Sequence, residues 1–240
     1  MGRTVTIHQP DFMPWLGFFN KIAKADLWIA LDHVENNPRD SAFWCRRVRV
    51  LTNGLPTWIS VPLQKPDTPG VVGIPINQMR IERSLVRNMK KCRETISQAY
   101  AKSPHYREVS SIVDEYFTTS DESLVRVNMA FIAHVMSLLR IDTEVVYSST
   151  LTPQGASNEL LLDLLGKVGA TTYLCGNGAS GYQIDDMYRE RGIAVQPNLF
   201  VHPTYDQPAT SQFVPGLSVI DVISRAGVDN ATRWAHGSPS

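Results

Sequence analysis

The opening of the sequence holds the pattern that most restricts the fold. Thr4–His8 is rich in β-branched residues and predicts a strand, which runs into a loop punctuated by Pro and Gly. Phe18–Ala25 has helical apolar spacing, and Leu27–Leu31 predicts a second, buried strand. A strand, a helix and a strand in so short a stretch form a βαβ unit. The two strands of such a unit are parallel and are joined by a right-handed crossover.

The same order returns in the C-terminal third, so the sheet extends beyond the first pair of strands. Strands are predicted at 143–147, 171–174 and 194–195, and helices at 158–168, 185–191 and about 215–227, with a frayed tail after them. The middle of the chain predicts a hairpin at Asn53-Gly54 and helices at 84–101, 106–117 and 123–139. We therefore expect an α/β fold with a mostly parallel, Rossmann-like sheet flanked by helices. It forms one domain over residues 1–240, with a helical insertion at about 80–140.

Composition narrows the classes of partner. The 23 Lys+Arg balance 23 Asp+Glu, which argues against nucleic acid as the main partner, because phosphate binding needs an excess of cations. No apolar stretch approaches the roughly 20 residues of a membrane span. Three cysteines without a CxxC pair, and no signal-peptide pattern, predict a cytoplasmic protein without disulfides or a zinc cluster. We expect a small-molecule partner, and the composition fits a monomer and a homodimer equally well.

The first candidate site lies where the first two predicted strands end. His8 and Gln9 follow one strand, Asp32 follows the other, and Trp15 stands in the loop between them. Ligands of open α/β sheets bind beyond the carboxyl ends of the strands, and neighbouring strands lie about 5 Å apart. A histidine beside a carboxylate is a candidate general base. The alternative is structural: His8 bonds a loop carbonyl and Asp32 caps a turn.

The second candidate is the glycine-rich loop at 175–181. Gly176, Gly178 and Ser180 allow backbone N–H groups to approach an anion or an oxyanion, and Tyr182 follows the loop. The segment matches neither the GxGxxG pattern nor the P-loop pattern. A turn without a ligand is the alternative. Cys175 is a candidate nucleophile or a small buried apolar residue.

The third candidate is a run of arginines at 46–49. Strand alternation places Arg47 and Arg49 on one face and Arg46 on the other. Paired guanidinium groups hold carboxylates or phosphates, whereas a solvated edge strand is the alternative. Cys92 follows two lysines in an electropositive helical segment that could lower the pKa of its thiol, and the alternative is an incidental position without a role. The scattered histidines have no spacing typical of a metal site.

Several segments together resemble one protein family. They are the residues 7–18, Ala25-Asp26, Leu31-Asp32, 58–62, Lys91 with 95–100, 173–176 and 213–218. In this order they resemble the WbqC-like family over about residues 4 to 228. The resemblance implies a link to bacterial surface-polysaccharide biosynthesis and a proposed transfer of glycine to a sugar.

The sequence departs from the pattern of that family at three places. Cys45 and Val48 replace a Gln and an Asn that flank the arginine matched by Arg47, Lys91-Cys92 replaces a Lys-His pair, and Asp32-His33 replaces an acidic pair. These changes predict a different substrate rather than a different fold, and a role in a specialised-metabolite pathway is one alternative.

These observations lead to one main hypothesis, an enzyme that forms an amide by acyl or aminoacyl transfer to an amino sugar or a similar amine. His8 is its general base and Asp32 orients it, while Gln9 and the 176–181 loop contact the substrate or its oxyanion. Arg47 or Lys91 binds an anionic group, and Trp15 and Tyr182 form apolar walls.

Two alternatives remain open. One is an adenylate-forming ligase, since its nucleotide-binding half begins with a similar order of elements; ATP would then be the cofactor, and no other cofactor or metal is indicated. The other alternative is a non-catalytic binding protein within a biosynthetic complex.

Overall fold

The computed structural model describes residues 2–37, 40, 42–66, 73–176 and 185–237. The strands are β1 (Thr4–His8), β2 (Leu27–Ala30), β3 (Glu35–Asn36), β4 (Arg47–Thr52), β5 (Leu55–Ser60), β6 (Ile74–Pro75), β7 (Glu144–Tyr147), β8 (Thr172–Cys175) and β9 (Ala194–Pro197). The α-helices are α1 (Leu16–Ala23), α2 (Val86–Tyr100), α3 (Ser110–Thr118), α4 (Leu124–Leu138), α5 (Ser157–Lys167), α6 (Asp185–Glu190) and α7 (Val219–Ala235).

The central sheet has five parallel strands in the order β7-β2-β1-β8-β9. The expected α/β, Rossmann-like fold is therefore confirmed. In β2 the side chains alternate between two buried layers, as a sheet covered on both faces requires. Trp28 packs in the layer of α1 and α7, whereas Leu27 and Ile29 pack in the layer of α5.

The chain leaves the central sheet after β2 and returns to it at β7. The intervening segment forms the antiparallel hairpin β4–β5, the small β3–β6 pair and helices α2–α4, which share a core with α1 and α7. The predicted hairpin turn is confirmed, since Asn53 and Gly54 both have positive φ, at 50° and 76°. The strand predicted from Phe43 begins later, because Trp44–Arg46 forms a 3-10 turn.

The last helix differs from its prediction. Gly227 has φ 84° and ψ 162°, which interrupts α7, but the chain resumes the helix and continues to Ala235. The carboxylate of Glu108 accepts a hydrogen bond of 2.8 Å from the backbone N–H of Val228, so the second half of the helix has its own cap. Trp234 is 8% exposed, and the expectation of a frayed tail from about residue 229 is wrong as far as residue 235.

Within the described ranges, no helix combines the length and the apolar character needed to cross a membrane.

Candidate active site

The strand order reverses between β1 and β8. From β1 the chain proceeds to β2 and β7 on one side, and β8 and β9 lie on the other. Ligands of open α/β sheets bind at the carboxyl ends of the strands where the order reverses in this way. His8 ends β1, Gly176 follows β8, and Thr6 Oγ1 donates to the Leu174 carbonyl at 2.9 Å between the two strands. His8 and Gly176 therefore lie at the same edge of the sheet.

A cleft of about 300 Å³ opens beside this edge, between the loop that follows β1 and the β4–β5 hairpin. It is lined by residues of the β1 loop, of the 3-10 turn and β4, and of the loop before α7: His8, Asp11, Phe12, Pro14, Trp15, Trp44, Arg47, Val48, Arg49 and Gly216. Three of the predicted site residues, His8, Trp15 and Arg47, thus share one cleft. Its volume is at the lower end of the range typical of small-molecule sites.

His8 is held in a defined orientation. Its Nδ1 donates to the Gln9 carbonyl at 3.0 Å and lies 3.6 Å from Asp11 Oδ2. Burial, with a smaller contribution from the charge of Lys21, lowers the pKa of His8 below its usual range. The imidazole is therefore neutral at neutral pH. Because Nδ1 carries the proton, Nε2 keeps a lone pair.

Asp11 is the carboxylate that faces His8. Its residue is 7% exposed, and burial raises its pKa to about 7, although the Cys45 thiol and Lys21 act in the opposite direction. Cys45 Sγ donates to Asp11 Oδ1 at 3.6 Å and to Gln9 Oε1 at 3.5 Å. Asp11 thus changes its charge in the physiological range.

Lys21 is a second residue that sequence reasoning missed. Its ammonium lies below the edge of the sheet, 4% exposed, and donates to the Ile7 carbonyl at 3.4 Å. Burial lowers the pKa of Lys21 to about 8. A lysine on the apolar face of α1, between Phe18 and Ile22, was the signal available in the sequence.

Trp15 forms one wall of the cleft, and Gly17 makes room for it. A Cβ atom on Gly17 would lie 2.3 Å from the indole of Trp15, so this ring folds back over the first turn of α1. The other side of the ring stacks on His202, with ring centroids 6.2 Å apart and an angle of 18° between the planes. Trp15 is therefore fixed although it is 38% exposed.

The opposite wall carries arginines and tryptophans of the hairpin. As predicted, Arg47 and Arg49 share a face, and their guanidinium carbons lie 3.7 and 5.8 Å from the ring centroid of Trp58. Trp44 packs against Trp58 with centroids 5.4 Å apart. Trp15, Trp44 and Trp58 are each about two-fifths exposed, whereas Trp28 and Trp234 are buried. The exposed tryptophans of the chain are thus gathered at this cleft.

Asn128 of α4 ties the two walls together. Its Nδ2 donates to the Pro10 carbonyl at 2.8 Å and to the Cys45 carbonyl at 2.7 Å, and its Oδ1 accepts from Tyr116 Oη at 2.7 Å. Asn128 is fully buried. One amide therefore connects the loop after β1 to the entrance of β4.

Asp32 lies outside the residues that line the cleft. Its Oδ1 accepts from Ser148 Oγ and from the backbone N–H of Ser149, both at 2.9 Å, and its Oδ2 accepts from Ser149 Oγ at 2.7 Å. These are the contacts of the structural alternative, in which Asp32 caps a turn. Asp11, rather than Asp32, is within 4 Å of His8.

The other predicted site residues fall into three groups. Gly178, Ser180 and Tyr182 lie outside the described residues, and only Gly176 of that loop is placed. Gln9 accepts from Cys45 beside Asp11. Lys91 is exposed on α2 and is not among the residues that line the cleft.

Of the two other cysteines, Cys175 is buried and Cys92 is partly buried. Cys175 is 4% exposed at the end of β8. Cys92 donates to the Ser60 carbonyl at 3.4 Å, and burial raises the pKa of its thiol despite the charge of Lys91. The predicted lowering of that pKa is wrong, because desolvation outweighs the nearby cation. In the described part of the chain, no three metal-ligating side chains of His, Cys, Asp or Glu form a cluster.

Comparison with known proteins agrees with the resemblance seen in the sequence. "Uncharacterized protein Rv1507c" of Mycobacterium tuberculosis (strain H37Rv) is 24% identical over 233 residues, which cover 95% of each chain. No solved structure gives a significant match. The sequence profile of the WbqC-like protein family matches residues 9–233, which include the β1 loop, the hairpin and the loop before α7 that build the cleft. The chain therefore belongs to the WbqC-like protein family.

Proposed function

We propose that this protein is a biosynthetic enzyme that forms an amide by acyl or aminoacyl transfer to a small amine. The observation that carries the proposal is the pairing of a neutral His8 with Asp11 at the wall of a cleft that also contains Arg47. A neutral imidazole with a free Nε2 is a proton acceptor, and a carboxylate behind Nδ1 stabilises the imidazolium that forms.

In the proposed reaction, the amine nitrogen forms a bond to the acyl carbon, and the leaving group of the donor departs with its bonding electrons. The proton of the attacking nitrogen passes to Nε2 of His8. Asp11 compensates the new charge on the imidazole, which replaces the role that the sequence suggested for Asp32. The predicted contribution of the 176–181 loop to an oxyanion site stays a prediction.

The donor and acceptor classes come from the family resemblance, and a glycyl group and an amino sugar are the first pair to test. The N-acetylcysteamine thioester of glycine serves as the donor and glucosamine as the acceptor, with the N-glycyl product measured by mass spectrometry. We expect His8→Ala to lower turnover at least about 100-fold, the usual contribution of a general base.

The matched control is His134→Ala, which removes a histidine of α4 that does not line the cleft. This variant should retain the wild-type rate. A folded His8→Ala variant with full turnover would refute the proposed base.

The second candidate is an ATP-dependent ligase that activates the acid as an adenylate. It is favoured by the reversal of strand order between β1 and β8, since doubly wound sheets bind nucleotides at such a point. Free glycine, ATP and glucosamine replace the thioester in this assay. Release of pyrophosphate and AMP together with the amide would select the ligase, and product from the thioester without ATP would select the transferase.

A further inference from the structure

The two arginines of the cleft carry charge that the described part of the chain does not neutralise. Neither Arg47 nor Arg49 forms an ion pair with a described carboxylate, and the only side-chain hydrogen bond of Arg49 to a described residue goes to the Pro215 carbonyl at 3.4 Å. The Nε of Arg47 is buried and has no hydrogen-bond partner among the described residues. Burying a charged group without a partner is costly, so such a group is typical of a site that awaits a ligand.

The position of Arg47 also differs from that of a solvated surface cation. Its guanidinium carbon lies 3.7 Å from the centroid of Trp58, so the plane of the group is held by an aromatic ring. A guanidinium that stacks through its face keeps its N–H edge available for two parallel hydrogen bonds. Arg49 approaches the same indole at 5.8 Å, which brings both cations to one part of the hairpin.

Both walls of the cleft carry an exposed tryptophan. Trp15 and Trp44 line it beside the arginines, and both keep more than a third of their surface exposed. The indole of Trp15 stacks on His202 and that of Trp44 packs at an angle of 36° against Trp58, so both rings are held in place and offer apolar surface to a ligand. The cleft therefore combines two guanidinium groups with exposed aromatic surface.

We propose that Arg47 and Arg49 bind a phosphoryl or carboxylate group of the substrate, and that a ring attached to this group packs against Trp44. The inference deepens the proposed function and rests on it only in assuming that the cleft holds the substrate. It predicts binding without turnover, so the two proposals can fail separately.

Calorimetric titration with phenyl phosphate and with benzoate, at constant ionic strength, tests the proposal. At least one of the two probes should bind with one-to-one stoichiometry, and the identity of that probe tells a phosphoryl site from a carboxylate site. Arg47→Gln should weaken binding at least about tenfold, in line with the loss of a charge-assisted pair of hydrogen bonds. Trp44→Ala should weaken the binding of phenyl phosphate or benzoate several-fold. The affinity for inorganic phosphate or acetate, which lack the ring, should stay unchanged.

Arg87→Gln is the matched control, because Arg87 is an exposed arginine of α2 that is not among the residues lining the cleft. If Arg47→Gln does not fold, Arg49→Gln and Arg47→Lys test the proposal in its place. Both variants should bind the anionic probe more weakly than the wild-type protein. Failure of both probes to bind the wild-type protein, or equal binding by the wild type and the arginine variants, would overturn the proposal. If the protein binds the anion but forms no amide, the anion-binding proposal stands and the proposed amide-forming reaction is refuted.

Discussion

At the scale of single residues, the identity of the acid beside His8 decides how the site works. Asp11 and Asp32 both follow strand ends, and the sequence analysis named Asp32 alone as the partner of His8. The structure separates them through their partners, since Asp32 accepts from Ser148 and Ser149 whereas Asp11 is buried with Cys45 against the cleft. Cys45 donates directly to Asp11, so this thiol is part of the surroundings that set the charge of the acid.

The raised pKa of Asp11 predicts the pH dependence of turnover. The proposed reaction needs the carboxylate form, which is lost as the pH falls through about 7. The value of kcat/KM should therefore fall below pH 7 in the wild-type protein. Asp11→Asn should have a lower plateau and no decline in this range, because the amide does not titrate. A variant that keeps the same decline near pH 7 would assign that titration to another group.

Gly17 allows a second prediction at this scale. Alanine normally stabilises a helix interior by roughly 0.5–1 kcal/mol relative to glycine. Gly17→Ala should instead destabilise the protein by about 1–3 kcal/mol and displace Trp15, because the new Cβ would overlap the indole. Urea unfolding and tryptophan fluorescence measure the two effects.

The matched control is Gly166→Ala in α5, where nothing lies within 4 Å of an added Cβ. This change should raise the free energy of unfolding by roughly 0.5–1 kcal/mol, the usual gain from replacing a helical glycine with alanine. Equal effects at both glycines would contradict the close packing of Trp15 on α1.

At the scale of elements, the cleft depends on α4 although α4 contributes no lining residue. Asn128 reaches from this helix to the carbonyls of Pro10 and Cys45, and Phe12 N–H donates to the Trp44 carbonyl at 3.0 Å nearby. A polar residue inside the apolar run 127–132 of this helix was visible in the sequence. Its two acceptors were not, since they lie 118 and 83 residues away along the chain.

Removing the amide should affect both stability and the site. Asn128→Ala leaves two carbonyls and the Tyr116 hydroxyl without their partner, which should lower the free energy of unfolding by roughly 2–4 kcal/mol. Urea unfolding measures this change. Asn88→Ala, at an exposed position of α2, should stay within about 0.5 kcal/mol of wild type. A similarly small effect at Asn128 would mean that the walls are held together by other contacts.

At the scale of the whole molecule, local patterns in the sequence predicted the five strands of the central sheet, their parallel direction and the hairpin turn. Alternation along β4 also predicted that Arg47 and Arg49 share a face. The break at Gly227 was predicted as the end of the helix, because a glycine does not reveal that Glu108 caps the segment beyond it. Lys21 and Asp11 were missed because their burial depends on how α1 and the hairpin pack. Contacts between elements that are distant along the chain leave no repeating pattern in the sequence.

Lys21 makes the stability of the whole fold depend on pH. Its folded pKa of about 8 lies below the ordinary lysine value of 10.5, so the folded state is penalised while the amine is protonated in the unfolded chain. That penalty should disappear as the pH rises from 8 to 10.5. The free energy of unfolding of wild type, relative to Lys21→Met, should increase over this window by on the order of 1–3 kcal/mol. Urea unfolding of both proteins at pH 8 and pH 10 measures this increase. An equal change of the unfolding free energy with pH in wild type and Lys21→Met would contradict the prediction.

The two walls of the cleft belong to different hydrogen-bonded sheets. The proposed proton-transfer pair follows a strand of the central sheet, whereas the proposed anion-binding arginines stand on the separate β4–β5 hairpin. Under these proposals, substitutions at Arg47 and Arg49 would change which anion is bound, while the strand that ends in His8 keeps its place in the central sheet. One short ribbon could then adapt the same backbone to different substrates.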